Sequence, residues 1–195
     1  MDWTAPQGDW TICALFQGHH GKNGRNVQGL VVKGDVIDHF SASAIDHYLS
    51  KFDEAFKGQD ISYLRYYLND SYEVDDARGE SNWTPAFFDE FQKYRGYDLR
   101  QHLPALLGMD TPDKNARVLY DYRQTINDLL INHYSIRWQH WAAKQGKGIR
   151  NQAHGSPANI LDLYAVSDVP EIEGRDLVSI KAAPSVAHTE GKKRP

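Results

Sequence analysis

One cysteine in 195 residues, Cys13, rules out an internal disulfide, so stability has to come from an apolar core. No apolar run approaches the roughly 20 residues of a membrane span, and no charged start leads into an apolar segment of the secretory kind. Positive charge is not in excess either. With 22 Lys and Arg against 26 Asp and Glu, the formal charge is -4 and the one basic cluster, Lys192-Lys193-Arg194, is short, so nucleic acid is not the expected partner. Zinc spacing is missing: there is no Cys-x₂-Cys or His-x₃-His, and the adjacent His19 and His20 would point to opposite sides of a strand. Asp75-Asp76, or Asp70 with Asn69, offers calcium hard oxygens, but two acids together are far more often solvent-facing.

What remains is a globular composition, 41% hydrophobic and 25% charged, which excludes global disorder. Aromatics are plentiful at 12%, and such rings serve either as ordinary core or as faces on which a pyranose stacks.

Periodicity divides the chain into alternating strands and helices. Trp10 to Phe16 alternates and predicts a strand, broken by the glycine-rich stretch from Gly18 to Gly24. Ile45, Tyr48, Leu49, Phe52 and Phe56 repeat at helical spacing behind Ser41 as N-cap, and Gly58 stops that helix. Ile61 to Leu68 predicts a buried strand. Thr84 as cap and Pro85 at the first position open a helix that continues to Gly96. From about Asp113 to Gln145 the apolar stripe predicts one long amphipathic helix, closed by Gly146. Gly148 to His154 reads as a short strand, Ala158 to Tyr164 as a short helix and Ala165 to Val169 as a third strand end. Asp176 to Val186 reads as a helix interrupted at Pro184.

This alternation favours parallel βα units, in which chemistry sits at the carboxyl ends of the strands. Three polar strand ends qualify. Asn69, Asp70, Tyr72 and Glu73 supply a carboxyl group with hydrogen-bonding neighbours, as a glycosidase needs, and read equally as a solvated turn. Arg150, Gln152 and His154 alternate onto one face of a strand and suit sugar hydroxyls, or form a self-satisfied polar set. Asp168, Glu171 and Glu173 make a second acidic end, with Glu173 the weakest beside Gly174.

The runs Phe16-Gln-Gly18, Val36-Ile-Asp-His-Phe40, Asn69-Asp-Ser-Tyr-Glu-Val74, Asn82-Trp-Thr-Pro85, Arg95-Gly-Tyr-Asp-Leu99, Leu103-Pro-Ala-Leu106, Asp121-Tyr-Arg123 and Arg150 to Pro157 together resemble the catalytic region of glycoside hydrolase family 106, the α-L-rhamnosidases. Asn159 to Tyr164 with Asp168-Val-Pro-Glu171 does so too, and the resemblance runs through nearly the whole chain in order.

The resemblance implies a catalytic (β/α)₈ barrel of the TIM type within a much longer polypeptide, acting on terminal α-linked L-rhamnose with inversion and associated with calcium. A full barrel takes roughly 250 residues, so the expectation is a partial barrel. Residues 1–35 would be the end of a β-rich segment or the barrel entry, and residues 36–195 the incomplete catalytic barrel. The resemblance then makes a carbohydrate the substrate, the remainder of the parent polypeptide the missing partner and the periplasm or the cell exterior the expected location of the parent.

Carried over by resemblance, Glu73 becomes the leading catalytic carboxylate, in the role of the base that activates water. Gln152, His154 and Glu171 become pocket or metal candidates, although no metal ligand set is defined. In the family the segment resembling His188 to Lys193 leads into a strand bearing Ser-Ala-Glu, the natural proton donor. If that donor lies within this chain instead, Glu171 is the first candidate. A β-galactosidase-like exo-glycosidase and a non-catalytic sugar-binding remnant are the alternatives.

Overall fold

The computed structural model describes residues 3–16, 37–72 and 82–192. Helix α1, Ala42–Phe56, starts where expected, with the Ser41 hydroxyl accepting from the Ala44 amide. Strand β1, Tyr66–Asn69, is shorter than the Ile61 to Leu68 pattern predicts: Ile61 to Arg65 is turn and coil, in which Lys147 Nζ donates to the Ile61 carbonyl at 2.9 Å.

Helix α2, Phe87–Arg95, ends at Gly96, whose φ of 81° lies in the left-handed region that glycine enters without a Cβ penalty. Its start differs from the expected cap. The Thr84 carbonyl takes the Phe87 amide at 3.0 Å, while the Thr84 hydroxyl is turned away and donates to Asp38 Oδ2 at 2.7 Å.

After a 3₁₀ turn, Leu99–His102, and the short helix α3, Leu103–Leu106, comes the long amphipathic segment. Helix α4, Pro112–Leu129, passes through a π-helical stretch, Leu130–Ser135, into α5, Ile136–Lys144. One continuous helix is therefore correct. The π-helical stretch shifts the register: after it the buried positions are Tyr134, Trp138 and Ala142, one residue beyond His133, Arg137 and Trp141, which a regular helix would bury.

Strand β2, Gly148–Asn151, helix α6, Ile160–Val166, strand β3, Val169–Pro170, and helix α7, Leu177–Thr189, complete the order. Helix α7 runs through Pro184 without the expected interruption.

The three strands form a parallel sheet in the order β1-β2-β3, with Tyr66 opposite Gly148, Asn69 opposite Asn151 and Arg150 opposite Val169. Alternation divides its faces. Ile149, Asn151 and Pro170 are buried on one side, where α5 packs on β2, whereas Leu68 is 61% exposed and Arg150 lies open on the other. Gly148 permits a close approach: a Cβ there would meet the Tyr66 ring at 2.8 Å and Asp168 Oδ2 at 3.1 Å.

Most rings serve the core. Phe52, Phe56, Tyr67 and Trp141 join α1, β1 and α5, and Trp83, Phe87, Phe91, Tyr97 and Tyr122 join α2 to α4. Helices α6 and α7 pack on each other and on β3.

Trp10 to Phe16 is not a strand. Ile12 is 77% and Phe16 93% exposed, and the Trp10 indole bonds locally to the Pro6 carbonyl at 2.8 Å. Alternation supplies faces, but a strand also needs a neighbouring edge. No helix among the described residues is long and apolar enough to cross a membrane.

Candidate functional site

The three strands run the same way, so Asn69, Asn151 and Pro170 end at one rim, and the residues that follow them are brought together there. Backbone bonds close the rim. Gln152 N donates to the Asn69 carbonyl at 3.1 Å, Tyr72 N to the His154 carbonyl at 2.6 Å and Glu171 N to the Asn151 carbonyl at 2.9 Å. The Tyr164 hydroxyl lies 2.9 Å from the carbonyls of both Gln152 and Glu171, and burial pushes its pKa up to about 12. The ends of β2 and β3 are thus fastened from beneath by one phenol.

The predicted residues take different positions on this rim. Glu73 lies outside the described residues, while its neighbour Tyr72 is buried. Asp70 is exposed, and the Asn69 side chain donates to Asn151 Oδ1 at 3.2 Å and to the Asp70 carbonyl at 3.0 Å. Arg150 Nε forms an ion pair with Glu171 Oε2 across the open face of β2 and β3, and that carboxylate holds the guanidinium in its charged form.

The expected common face for Arg150, Gln152 and His154 does not persist. The strand ends at Asn151, and Ala153 takes a φ of 53°, which breaks the two-residue alternation before His154. His154 is exposed. Gln152 is half-buried, and its Oε1, like Ser156 Oγ in the same turn, is buried with no hydrogen-bond partner among the described residues.

Asp168 does structural work at the opposite end of the strands, where its Oδ2 accepts the Ile149 amide at 2.8 Å. Glu173 is exposed. Asn151 is the residue that pattern reading passed over. It is 2% exposed, and its Oδ1 takes both Asn69 Nδ2 and the Ala153 amide, each at 3.2 Å. The available signal was an amide in the apolar register of Ile149 and Ala153.

Asp38, His39 and Phe40 stand behind this rim. The His39 ring is half-buried between Tyr72, centroids 4.7 Å apart, and Tyr134, 4.9 Å. Burial lowers its pKa from 6.5 to about 4, against a smaller opposing effect of a hydrogen bond to the Ile37 backbone. The folded state therefore favours the neutral ring. Above pH 6.5 neither state binds the proton and the full stability is present; as the pH falls toward 4 the unfolded chain gains the proton first and stability is lost. Urea unfolding at pH 7.5 and pH 5 should show a loss on the order of 2 kcal/mol from this group. The loss is expected to be absent from the pH dependence of His39→Gln, and an equal pH dependence in both proteins would contradict it.

Among the described residues no three His, Cys, Asp or Glu side chains gather to hold a metal ion.

Comparison with known proteins gives this rim a family. Glycoside hydrolase 106, described as alpha-L-rhamnosidase, matches residues 1–177. The chain belongs to this family. A relative in Formosa agariphila, named "Putative beta-glucuronidase", is 30% identical over 210 residues, covering 98% of this chain and 17% of the relative. The solved structure of a rhamnosidase from Novosphingobium sp. PP1Y superposes with a TM-score of 0.66 at 29% identity, covering 82% of this chain and 17% of that one. The chain thus spans about a sixth of the length of these two glycoside hydrolase relatives.

Proposed function

We propose that this chain forms part of the catalytic (β/α)₈ barrel of an inverting α-L-rhamnosidase and contributes the base side of its active site. The observation that carries the reading is the single rim on which the ends of three parallel strands present Asn69, Gln152 and Glu171, in a chain of the glycoside hydrolase 106 family. Sugar recognition needs donors and acceptors that lack protein partners. The exposed polar groups of Asp70 and His154, beside the half-buried Gln152, stand at this rim and suit sugar hydroxyls.

Glu73 is assigned as the general base that removes a proton from water as it attacks the anomeric carbon. Asp70, Tyr72 and His154 are assigned to substrate hydroxyls. Glu171 is an unsuitable first choice for proton donor, because it is engaged with Arg150 and would have to leave that pair to serve the leaving oxygen. We assign Arg150 and Glu171 to holding the pocket wall and place the donor outside this chain.

The name of the Formosa relative favours one second reading, a glycosidase of the same family acting on a uronic acid. A panel of aryl α-L-rhamnoside, β-D-glucuronide and β-D-galactoside separates the two. The 195-residue chain is expected to turn over none of them measurably, and a polypeptide extended past Pro195 through the next strand is expected to cleave the α-L-rhamnoside. Cleavage of the glucuronide alone would replace the rhamnosidase assignment, and sugar binding without turnover by the extended polypeptide would leave a binding remnant.

A further inference from the structure

The open face of the sheet ends on one ion pair. Arg150 and Val169 are opposite each other in the strand register, and Glu171, two residues beyond Val169, returns to the same face nearer the rim. Its backbone is held at both polar groups. Glu171 N donates to the Asn151 carbonyl at 2.9 Å, and the Glu171 carbonyl accepts the Tyr164 hydroxyl at 2.9 Å. The carboxylate therefore reaches Arg150 from a fixed main chain.

The pairing uses little of either group. Only Nε of the guanidinium and Oε2 of the carboxylate are engaged, so among the described residues the terminal N–H groups of Arg150 and Oε1 of Glu171 have no hydrogen-bond partner. The two side chains are 50% and 30% exposed, which leaves room for a ligand against both.

Donors and an acceptor side by side suit neighbouring hydroxyls of a neutral sugar, since each hydroxyl both gives and takes a hydrogen bond. They do not suit a carboxylate. An unpaired arginine would hold a carboxylate with two parallel N–H bonds, but here Glu171 already balances the guanidinium, and a second carboxylate on the same group would face the first at contact range.

We propose that the Arg150–Glu171 pair determines specificity at the candidate site: it takes the hydroxyls of a neutral sugar and turns away sugars that carry a carboxylate, with Glu171 as the excluding group. This rests on the reading of the rim as the sugar site. Discrimination by a repulsive element, in addition to attraction for the correct ligand, is a general route to specificity. It separates a rhamnoside, which has no acidic group, from a uronide.

The test compares ligands that differ in charge and share their ring. D-Glucuronate, D-glucuronamide and L-rhamnose are titrated into the 195-residue chain, and NMR follows the Arg150 Nε–H resonance. Glucuronamide and rhamnose are expected to shift it, and glucuronate to bind on the order of tenfold more weakly than the amide. That gap should narrow between about 0.1 M and 1 M salt, because the pair is exposed enough to be screened. Glu171→Gln keeps an oxygen for the Nε–H and removes the charge, so the gap is expected to close to within about twofold or to invert. Arg150→Gln, followed at the Gln152 amide, is expected to weaken both neutral ligands.

Equal binding of glucuronate and its amide by the wild type overturns the proposal, as does a gap that salt leaves unchanged or that Glu171→Gln preserves. Absence of any shift at Arg150 with all three ligands overturns it too. If Glu171→Gln does not fold, the salt dependence of the wild type decides. The catalytic reading is judged apart from this: an extended polypeptide that cleaves no rhamnoside ends the rhamnosidase assignment while the titrations still judge the pair, and one that cleaves rhamnoside and glucuronide equally well overturns the exclusion alone.

Discussion

Glu73→Gln is expected to lower the turnover of an aryl α-L-rhamnoside by on the order of 10²- to 10⁴-fold in the polypeptide extended beyond Pro195. The amide keeps the size of the carboxylate and much of its hydrogen bonding but cannot accept a proton from water at neutral pH. The loss should fall on kcat, because the proposed water attack is the step that needs the base, while the proposed substrate contacts of Gln152 and His154 are left unchanged. The size of the effect follows from geometry. An inverting site keeps its acid and base roughly 6.5 to 9.5 Å apart with a water between, so no other carboxylate can take over without displacing that water.

Added azide, a nucleophile that needs no deprotonation, should restore part of the rate in the variant and none in the wild type. A variant that keeps more than about a tenth of wild-type kcat would remove Glu73 from the base role. An azide-insensitive loss would point to a structural defect.

How far these features could be read from sequence depends on the range over which each is determined. Ser41 capping α1, Gly96 closing α2 and the stripe from Asp113 to Gln145 are local, since each involves residues within a few positions, and all three appear as expected. Thr84 misled because its hydroxyl had two possible partners, the helix start three residues on and Asp38 46 residues back, and the distant one prevailed.

Trp10 to Phe16 and Ile61 to Arg65 have strand composition, but whether they pair depends on a neighbouring edge that their own residues do not specify. The rim shows the same division. Asn69, Gln152 and Glu171 could be nominated because polar residues follow apolar strand runs. The work of Asn151, and the ring contact between His39 and Tyr72, depend on a sheet register and a helix widening that spacing does not reveal.

Ile149→Asp is expected to abolish cooperative folding of the 195-residue chain. Ile149 has no exposed surface and lies in the middle strand of the sheet, on the face against which α5 packs. The substitution removes an apolar side chain worth on the order of 2 to 3 kcal/mol of burial and leaves a carboxylate where there is no water. Relief by ion pairing is blocked from the nearest side, because the backbone amide of residue 149 already donates to Asp168 Oδ2, which brings a second negative group close.

Desolvation and repulsion together cost several kcal/mol more, comparable with the roughly 5 to 15 kcal/mol that ordinarily separates a folded domain from its unfolded chain. Ile149→Val is the control for volume alone and should cost about 0.5 to 1.5 kcal/mol, lowering Tm by a few degrees. Circular dichroism melts compare the three proteins. A cooperative transition in Ile149→Asp within about 5 °C of wild type would show that the sheet yields enough to hydrate the acid, and the rim would then rest on something other than a rigid β2. Loss of the transition in Ile149→Asp alone would mean that Arg150, Asn151 and Gln152 keep their places only because the residue before them is sealed from water.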